Sequence, residues 1–174
     1  MKVLMINGSS RNNGCTRAAL DIMAETFKEE GIETEIIFIG NQPIADCMNC
    51  KKCVTEHQCI FDDVVNEITT KAKDCDGFIF ASPVYYAHPS ARLLAVLDRA
   101  FYSNKSVFVY KPGACIFSAR RAGQRAWMLS TNISAFLICL LYLPIIGMKS
   151  LEVNLKMFIK IQKVLRLCRI SQKI

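Results

Sequence analysis

The chain has 174 residues, 52% hydrophobic and 21% charged, which is enough for one domain with a buried core and too apolar for a disordered chain. It opens on a strand-like apolar run instead of a secretory leader, so we expect a cytoplasmic protein whose nine cysteines are reduced thiols or metal ligands. Residues 1–123 contain 14 basic and 14 acidic side chains, so the net charge of +7 lies wholly in residues 124–174, which argues against a nucleic-acid partner for the body of the protein.

Strand-like and helix-like segments alternate along residues 1–123. Short apolar runs bounded by Gly, Pro, Asn or Asp predict strands at 2–6, 33–39, 76–81 and 113–118. Apolar side chains at spacings of three and four predict helices at 16–30, 62–73 and 90–102. This alternation predicts an α/β fold with helices on both faces of a parallel sheet, whose ligand site lies at the carboxyl edge of the strands.

The loop after the first predicted strand, residues 7–16 (NGSSRNNGCT), leads directly into the first predicted helix. Its hydroxyl groups, its arginine and the backbone N–H groups of a helix N-terminus favour phosphate binding; the alternative is an ordinary polar turn. The loop matches neither the GxGxxG nor the Walker pattern, which argues against a pyrophosphate site for a dinucleotide or a nucleoside triphosphate.

Two further polar loops are predicted at the same edge of the sheet. Residues 81–89 (ASPVYYAHP) contain two adjacent tyrosines, which either stack on a flat ring or cap the core. His88 has no visible catalytic partner, and we expect it to be a surface residue. Residues 118–123 (SARRAG) form the third loop.

Four cysteines lie within thirteen residues between the second predicted strand and the second predicted helix: Cys47, Cys50, Cys53 and Cys59. Thiolates at this spacing can surround one compact metal centre. Three interpretations stay open, namely a 4Fe–4S cluster, unligated thiols or zinc, although zinc sites usually have longer spacers between ligand pairs. Cys75 and Cys115 lie in or beside predicted strands, and we expect them in the core.

Three segments of residues 1–123 are distinctive: NGSSRNNGCT, ASPVYY followed by SARLLAVLDRA, and KPGACIFSARRAG. In these segments the chain resembles the flavodoxin-like NADPH-dependent FMN reductases, and especially their iron–sulfur flavoprotein branch. The resemblance implies a flavodoxin-like three-layer sandwich with strand order 2-1-3-4-5, bound FMN, and a 4Fe–4S cluster on the four clustered cysteines. It also implies a set of FMN-binding residues: Ser9, Arg11, Asn13, Cys15 and Thr16 around the phosphate, Pro83, Val84, Tyr85 and Tyr86 beside the ring, and Ser118 and Arg120 on its other flank.

The resemblance implies an enzyme in which FMN accepts a hydride from NADH or NADPH and passes electrons to a quinone, a flavin or a protein, with the cluster dividing the electron pair into single steps. Because the flavin carries the chemistry, no catalytic side chain is expected. The alternatives are an electron carrier or redox sensor without turnover, and an inactive product. We expect a homo-oligomer and no membrane partner.

Residues 124–174 differ in composition from the rest of the chain, with eight basic side chains and one acidic side chain. Their apolar stretch at 133–147 is shorter than the roughly 20 residues that span a bilayer. We therefore divide the chain into an FMN-binding core at 1–123 and an atypical segment at 124–174. Shifted codons for 130–150 and 156–168 can encode family-like sequence, so we hypothesise a one-nucleotide frameshift, which would replace the fifth strand and last helix and favour aggregation.

Overall fold

The computed structural model describes residues 1–86 and 88–119, which build a parallel sheet between two layers of helices. The strands are β1 (Lys2–Asn7), β2 (Glu33–Phe38), β3 (Gly77–Tyr85), β4 (His88–Pro89) and β5 (Gly113–Ser118). The helices are α1 (Cys15–Glu29), α2 (Cys53–Glu56), α3 (Val64–Ala72) and α4 (Ala91–Asn104), and a 3-10 turn at Lys105–Val107 follows α4.

The four long strands are parallel in the order β2-β1-β3-β5, and the short β4 pairs antiparallel with the end of β3. Counting long strands only, this is the predicted order 2-1-3-4, so the α/β class is confirmed. The predicted fifth strand and last helix fall in residues 120–174, outside the described part. The frameshift hypothesis and the boundary at residue 123 therefore stay predictions.

The apolar run of β1 is explained by burial on both faces. Val3 and Met5 belong to one core with Leu20, Met23 and Phe27 of α1. The alternate side chains of β1 belong to the opposite core, with residues of α3 and α4. Because successive side chains of a strand point to opposite faces, a central strand covered on both sides needs apolar residues at every position.

The second strand departs from this pattern because it lies at an edge of the sheet. Glu33 is exposed, and Glu35 lies between two lysines, 2.8 Å from Lys2 Nζ and 2.7 Å from Lys71 Nζ. Charged side chains on an edge strand oppose pairing with another chain.

The third strand was predicted to end at residue 81, and this was wrong, because β3 continues to Tyr85. Its extension pairs Pro83 with Ser118 of β5 and Val84 with Pro89 of β4. The proline fits there because β1 ends at the Asn7–Ala81 pair, so no N–H is needed on that side of Pro83.

Other local predictions are confirmed. The three predicted helices begin and end within two residues of α1, α3 and α4. Cys75 and Cys115 are buried, and His88 is exposed. The short helix α2 was not predicted. No helix within residues 1–86 and 88–119 is long and apolar enough to cross a lipid bilayer.

Candidate functional site

At the carboxyl edge of the sheet, where ligands of parallel α/β sheets bind in a crevice, the first loop is fastened to β3 and α4. The Gly8 N–H donates to the Ala81 carbonyl at 2.7 Å, and the Ser90 hydroxyl donates to the Gly8 carbonyl at 2.8 Å. A side chain at Gly8 has no room, because a Cβ would lie 2.8 Å from both the Ala81 oxygen and Leu93 Cβ. Glycine is therefore required at position 8, because the first loop, β3 and α4 approach one another closely there.

Beyond Gly8 the first loop curls through local hydrogen bonds. The Ser9 N–H donates to Asn7 Oδ1, and the Arg11 N–H donates to Ser9 Oγ, both at 3.1 Å. Gly14 occupies the N-cap of α1 and has no side chain that could accept from the first N–H groups of the helix. The first turn also carries no acid in the sequence, so the positive end of α1 suits an anion.

The structure brings the first loop together with the end of β5, as predicted. Thr16 Oγ1 and Ser118 Oγ are hydrogen-bonded at 3.1 Å, and both Thr16 and Ser9 are buried. Three other predicted phosphate ligands are exposed side chains: Arg11, Asn13 and Cys15. Arg120, predicted on the same flank as Ser118, lies outside the described residues.

The two tyrosines lie at the end of β3 and directly after it. Tyr85 Oη lies 3.5 Å from Ser10 Oγ, which links the end of β3 to the first loop. The Tyr86 side chain is fully exposed, and its backbone is left-handed with φ of +51°. An unburied aromatic ring on a backbone that non-glycine residues rarely adopt argues against the alternative that the pair caps the core.

Asn7 was not identified from the sequence as a candidate site residue. Its side chain is buried, and its Nδ2 has no hydrogen-bond partner among the described residues. A buried amide without a partner costs about 1–3 kcal/mol, so this donor points to a group that binds in the crevice. The available signal was a polar residue that directly ends an apolar strand and precedes the glycine of the loop.

A separate pocket contains the cysteine cluster. It is lined by Met48, Arg99 and Tyr102 and by the four clustered cysteines, which form no disulfide: Cys47, Cys50, Cys53 and Cys59. Burial raises the pKa of the Cys53 thiol, and the neighbouring thiols raise it further. No group of three or more His, Cys, Asp or Glu side chains in residues 1–86 and 88–119 lies close enough to hold one metal ion.

Arg99 lies in the wall of this pocket and was not predicted to have a role there. Its side chain is 1% exposed and forms a bidentate ion pair with Asp63, in which Nη1 and Nη2 lie 2.7 and 2.9 Å from the two carboxylate oxygens. Burial lowers the pKa of Arg99, but hydrogen bonds to Asp63 and Cys59 outweigh that effect and raise it. The guanidinium therefore stays charged in the interior.

The crevice and the pocket are separate regions joined by α4. Ser90, at the N-cap of α4, contacts the first loop, whereas Arg99 contacts the cysteine segment. Nine residues of α-helix separate them, which corresponds to about 13 Å at 1.5 Å per residue.

A family model and several known proteins are similar to this chain. The family model described as NADPH-dependent FMN reductase matches residues 1–144. An iron–sulfur flavoprotein of Methanocaldococcus jannaschii is 40% identical over 100 residues, which covers 58% of this chain and 52% of that protein. The chain spans about half the length of the curated relatives it matches, 52% and 58% for two of them.

Two solved structures show the same fold. FerB of Paracoccus denitrificans, a flavoenzyme NAD(P)H:acceptor oxidoreductase, aligns with a TM-score of 0.72 and 14% identity, covering 93% of this chain and 97% of that one. A flavodoxin from the domain Archaea aligns with a TM-score of 0.63 and 15% identity, covering 95% and 99%. The predicted flavodoxin-like fold is therefore confirmed.

Proposed function

The chain belongs to the NADPH-dependent FMN reductase family, and on this premise we propose that it binds FMN in the crevice and passes electrons from NADH or NADPH to an acceptor. The observation that carries the proposal is the convergence of three segments at one edge of the sheet. Hydrogen bonds join the first loop to β5 through Thr16 and Ser118, and to β3 through Ser10 and Tyr85.

The phosphate of FMN fits the first loop. A phosphate needs positive potential and N–H donors, and the N-terminus of α1 supplies both because Gly14 leaves the end of the helix uncapped. Arg11 and Asn13 are exposed beside it and can add charged and amide donors. The hydroxyls of Ser9 and Thr16 are already engaged, to the Arg11 N–H and to Ser118, so we assign them mainly to shaping the loop.

The flavin ring fits between the tyrosine side and the Ser118 side of the crevice. Tyr85 and Tyr86 present exposed rings that can cover a flat ligand and exclude water from it. The buried Asn7 amide supplies a donor for an acceptor atom of the ligand. Bound FMN would supply hydride acceptance from a reduced nicotinamide and electron release to a quinone, a flavin or a protein.

We also assign a 4Fe–4S cluster to the cysteine pocket. The donor set fits, since four free cysteines line the same pocket and each iron of such a cluster takes one thiolate. A cluster spreads its ligands more widely than a single ion does. Zinc and unligated thiols are the other outcomes of the same measurement, which is the iron, sulfide and zinc content of the anaerobically purified chain.

The FMN assignment is tested by comparing two flavins that differ in the phosphate. We expect Arg11→Gln to weaken binding of FMN about tenfold or more, since a hydrogen bond to a charged group contributes about 1.5–3 kcal/mol, and to leave riboflavin binding unchanged. Arg17→Gln is the matched control, because Arg17 lies in the first turn of α1, close to the first loop, but pairs with Asp21 at 2.7 Å. Folded protein that retains no FMN, or that loses both flavins equally in Arg11→Gln, would refute the assignment.

A second candidate function, electron transfer without turnover, is favoured by the exposure of Cys47 and Cys50 at the pocket. Oxidation of NADPH or NADH by the FMN-loaded chain, with quinone or free flavin as acceptor, separates the two. Steady turnover supports the enzyme. Retention of FMN without turnover supports the carrier.

A further inference from the structure

The guanidinium of Arg99 uses all five of its N–H donors on the segment that carries the cysteines. Nε donates to Cys59 Sγ at 3.2 Å. Nη1 donates to the Ala45 carbonyl at 3.2 Å and to the Asp63 carboxylate at 2.7 Å. Nη2 donates to the same carboxylate at 2.9 Å and to the Phe61 carbonyl at 3.5 Å. A guanidinium has five donors in a fixed plane, so this set of acceptors determines its orientation.

The orientation of Arg99 is held from two sides. Asp63 is itself anchored, because its carboxylate accepts from the Val65 N–H at 3.0 Å as the N-cap of α3. The Phe61 ring lies under the guanidinium, with its centroid 4.8 Å from Cζ. Turning Nε away from Cys59 would break the ion pair and the ring contact together.

Cys59 is also held through its backbone. Its N–H donates to Asn66 Oδ1 at 2.9 Å, and its carbonyl accepts from Asn66 Nδ2 at 3.0 Å. Cys47 and Cys50, in contrast, are exposed on the loop that precedes α2. Cys59 therefore differs from Cys47 and Cys50, because hydrogen bonds hold both its backbone and its sulfur.

We propose that Arg99 is a positioning residue that presents Cys59 as the preformed anchor ligand of the cluster and raises the reduction potential of that cluster. The inference rests on the proposed 4Fe–4S cluster. A hydrogen bond from a cation to a ligand sulfur stabilises the electron added on reduction, so the reduced form gains relative to the oxidised form. None of the other three cysteine sulfurs has a guanidinium hydrogen bond within the described part of the chain.

The test compares variants of the full chain after anaerobic reconstitution with ferrous iron and sulfide. Arg99→Gln removes the charge, and Arg99→Lys keeps the charge but loses the fixed Nε donor. Arg92→Gln is the matched control, since Arg92 lies two turns earlier on α4 and donates to the carbonyls of Gly40 and Gln42. We expect the ratio of reduced to oxidised cluster at a fixed potential to fall at least tenfold in Arg99→Gln, about 59 mV for one electron, and to stay unchanged in Arg92→Gln.

A measurement on the wild-type chain covers the case in which Arg99→Gln does not fold. Labelling arginine Nε with nitrogen-15 and recording pulsed electron paramagnetic resonance of the reduced cluster should show a nitrogen coupling from one arginine, which Arg99→Lys abolishes. Equal potentials in Arg99→Gln and Arg92→Gln, or a cluster without arginine coupling, would overturn the role of Arg99 while leaving the cluster in place. A folded wild-type chain that takes up no iron and sulfide would overturn the cluster and this inference together.

Discussion

The close approach at Gly8 makes the sharpest prediction for stability. In Gly8→Ala the new Cβ would lie 2.8 Å from the Ala81 carbonyl oxygen and 2.8 Å from Leu93 Cβ. Neither atom can swing aside, since one belongs to the backbone of β3 and the other is the first side-chain atom of a residue in α4. The substitution must therefore push the first loop away from the sheet or displace α4.

The expected loss follows from two contributions. Forcing an extra methyl group into a packed site costs about 1–3 kcal/mol. The same movement lengthens the 2.7 Å hydrogen bond from the Gly8 N–H to Ala81, and a bond of this kind contributes about 0.5–1.5 kcal/mol. The two effects overlap, so we expect the free energy of unfolding to fall by about 2 kcal/mol. With a urea dependence of about 2 kcal/mol per molar, the midpoint falls by about 1 M.

Gly14→Ala is the matched control for the same chemical change without the clash. Its Cβ would lie 3.7 Å from Arg11 Cβ, an ordinary contact, and the loss of glycine at the N-cap of α1 costs roughly 0.5 kcal/mol. Urea unfolding of both variants, followed by circular dichroism, measures the difference. If both midpoints agree within about 0.3 M at equal urea dependence, the steric argument for Gly8 is refuted.

Three further substitutions test separate parts of the structure. Ser90→Ala removes the N-cap of α4, whose hydroxyl accepts from the helix and donates to the first loop. It should lower the free energy of unfolding by about 1–2 kcal/mol in thermal or urea unfolding, whereas Ser90→Thr should retain most of the stability. Equal losses in the two variants would contradict the capping role. Tyr86→Ala should leave the free energy of unfolding within about 0.5 kcal/mol of wild type, because the Tyr86 ring is fully exposed. It should weaken FMN binding, measured by quenching of flavin fluorescence. An unchanged affinity would exclude contact between Tyr86 and the flavin ring. The pKa of Glu35 is lowered from 4.5 by hydrogen bonds from Lys2 and Lys71, so its contribution to stability is present above pH 4.5 and is lost as the pH falls through the lowered value. The difference in unfolding free energy between wild type and Glu35→Gln should therefore shrink below pH 4.5, and a difference that does not vary with pH would show that the Glu35 interactions do not depend on its charge.

The elements and their order were accessible from the sequence because they depend on local patterns. Apolar runs such as 2–6 are strands buried on both faces, and the spacing of apolar side chains in 16–30 belongs to one face of a helix. Parallel connection by helices then leaves few strand orders. The end of β3 at Tyr85 was missed, since it depends on where β1 stops and on pairing with β4 and β5.

Some features of the candidate site could likewise be predicted from the sequence, and others could not. A polar loop between an apolar strand and a helix indicates an anion site from residues 7–16 alone, and the spacing of the four cysteines indicates a metal site. Each of these signals is readable from the sequence because it lies within one short stretch of chain. Contacts between distant stretches carry no such signal. Asn7 became a candidate only through its burial without a partner for Nδ2, and the role of Gly8 only through its approach to Ala81 and Leu93.

The sequence by itself therefore determined which chemical groups this protein has at the edge of its sheet and in its cysteine segment. Tertiary structure alone decided how they differ, because Arg99 reaches Cys59 across 40 residues of chain and is oriented by Asp63, 36 residues away. Thr16 likewise meets Ser118 across 102 residues. Local periodicity reports burial and backbone conformation, whereas a hydrogen bond between remote side chains depends on the packing of whole helices and strands.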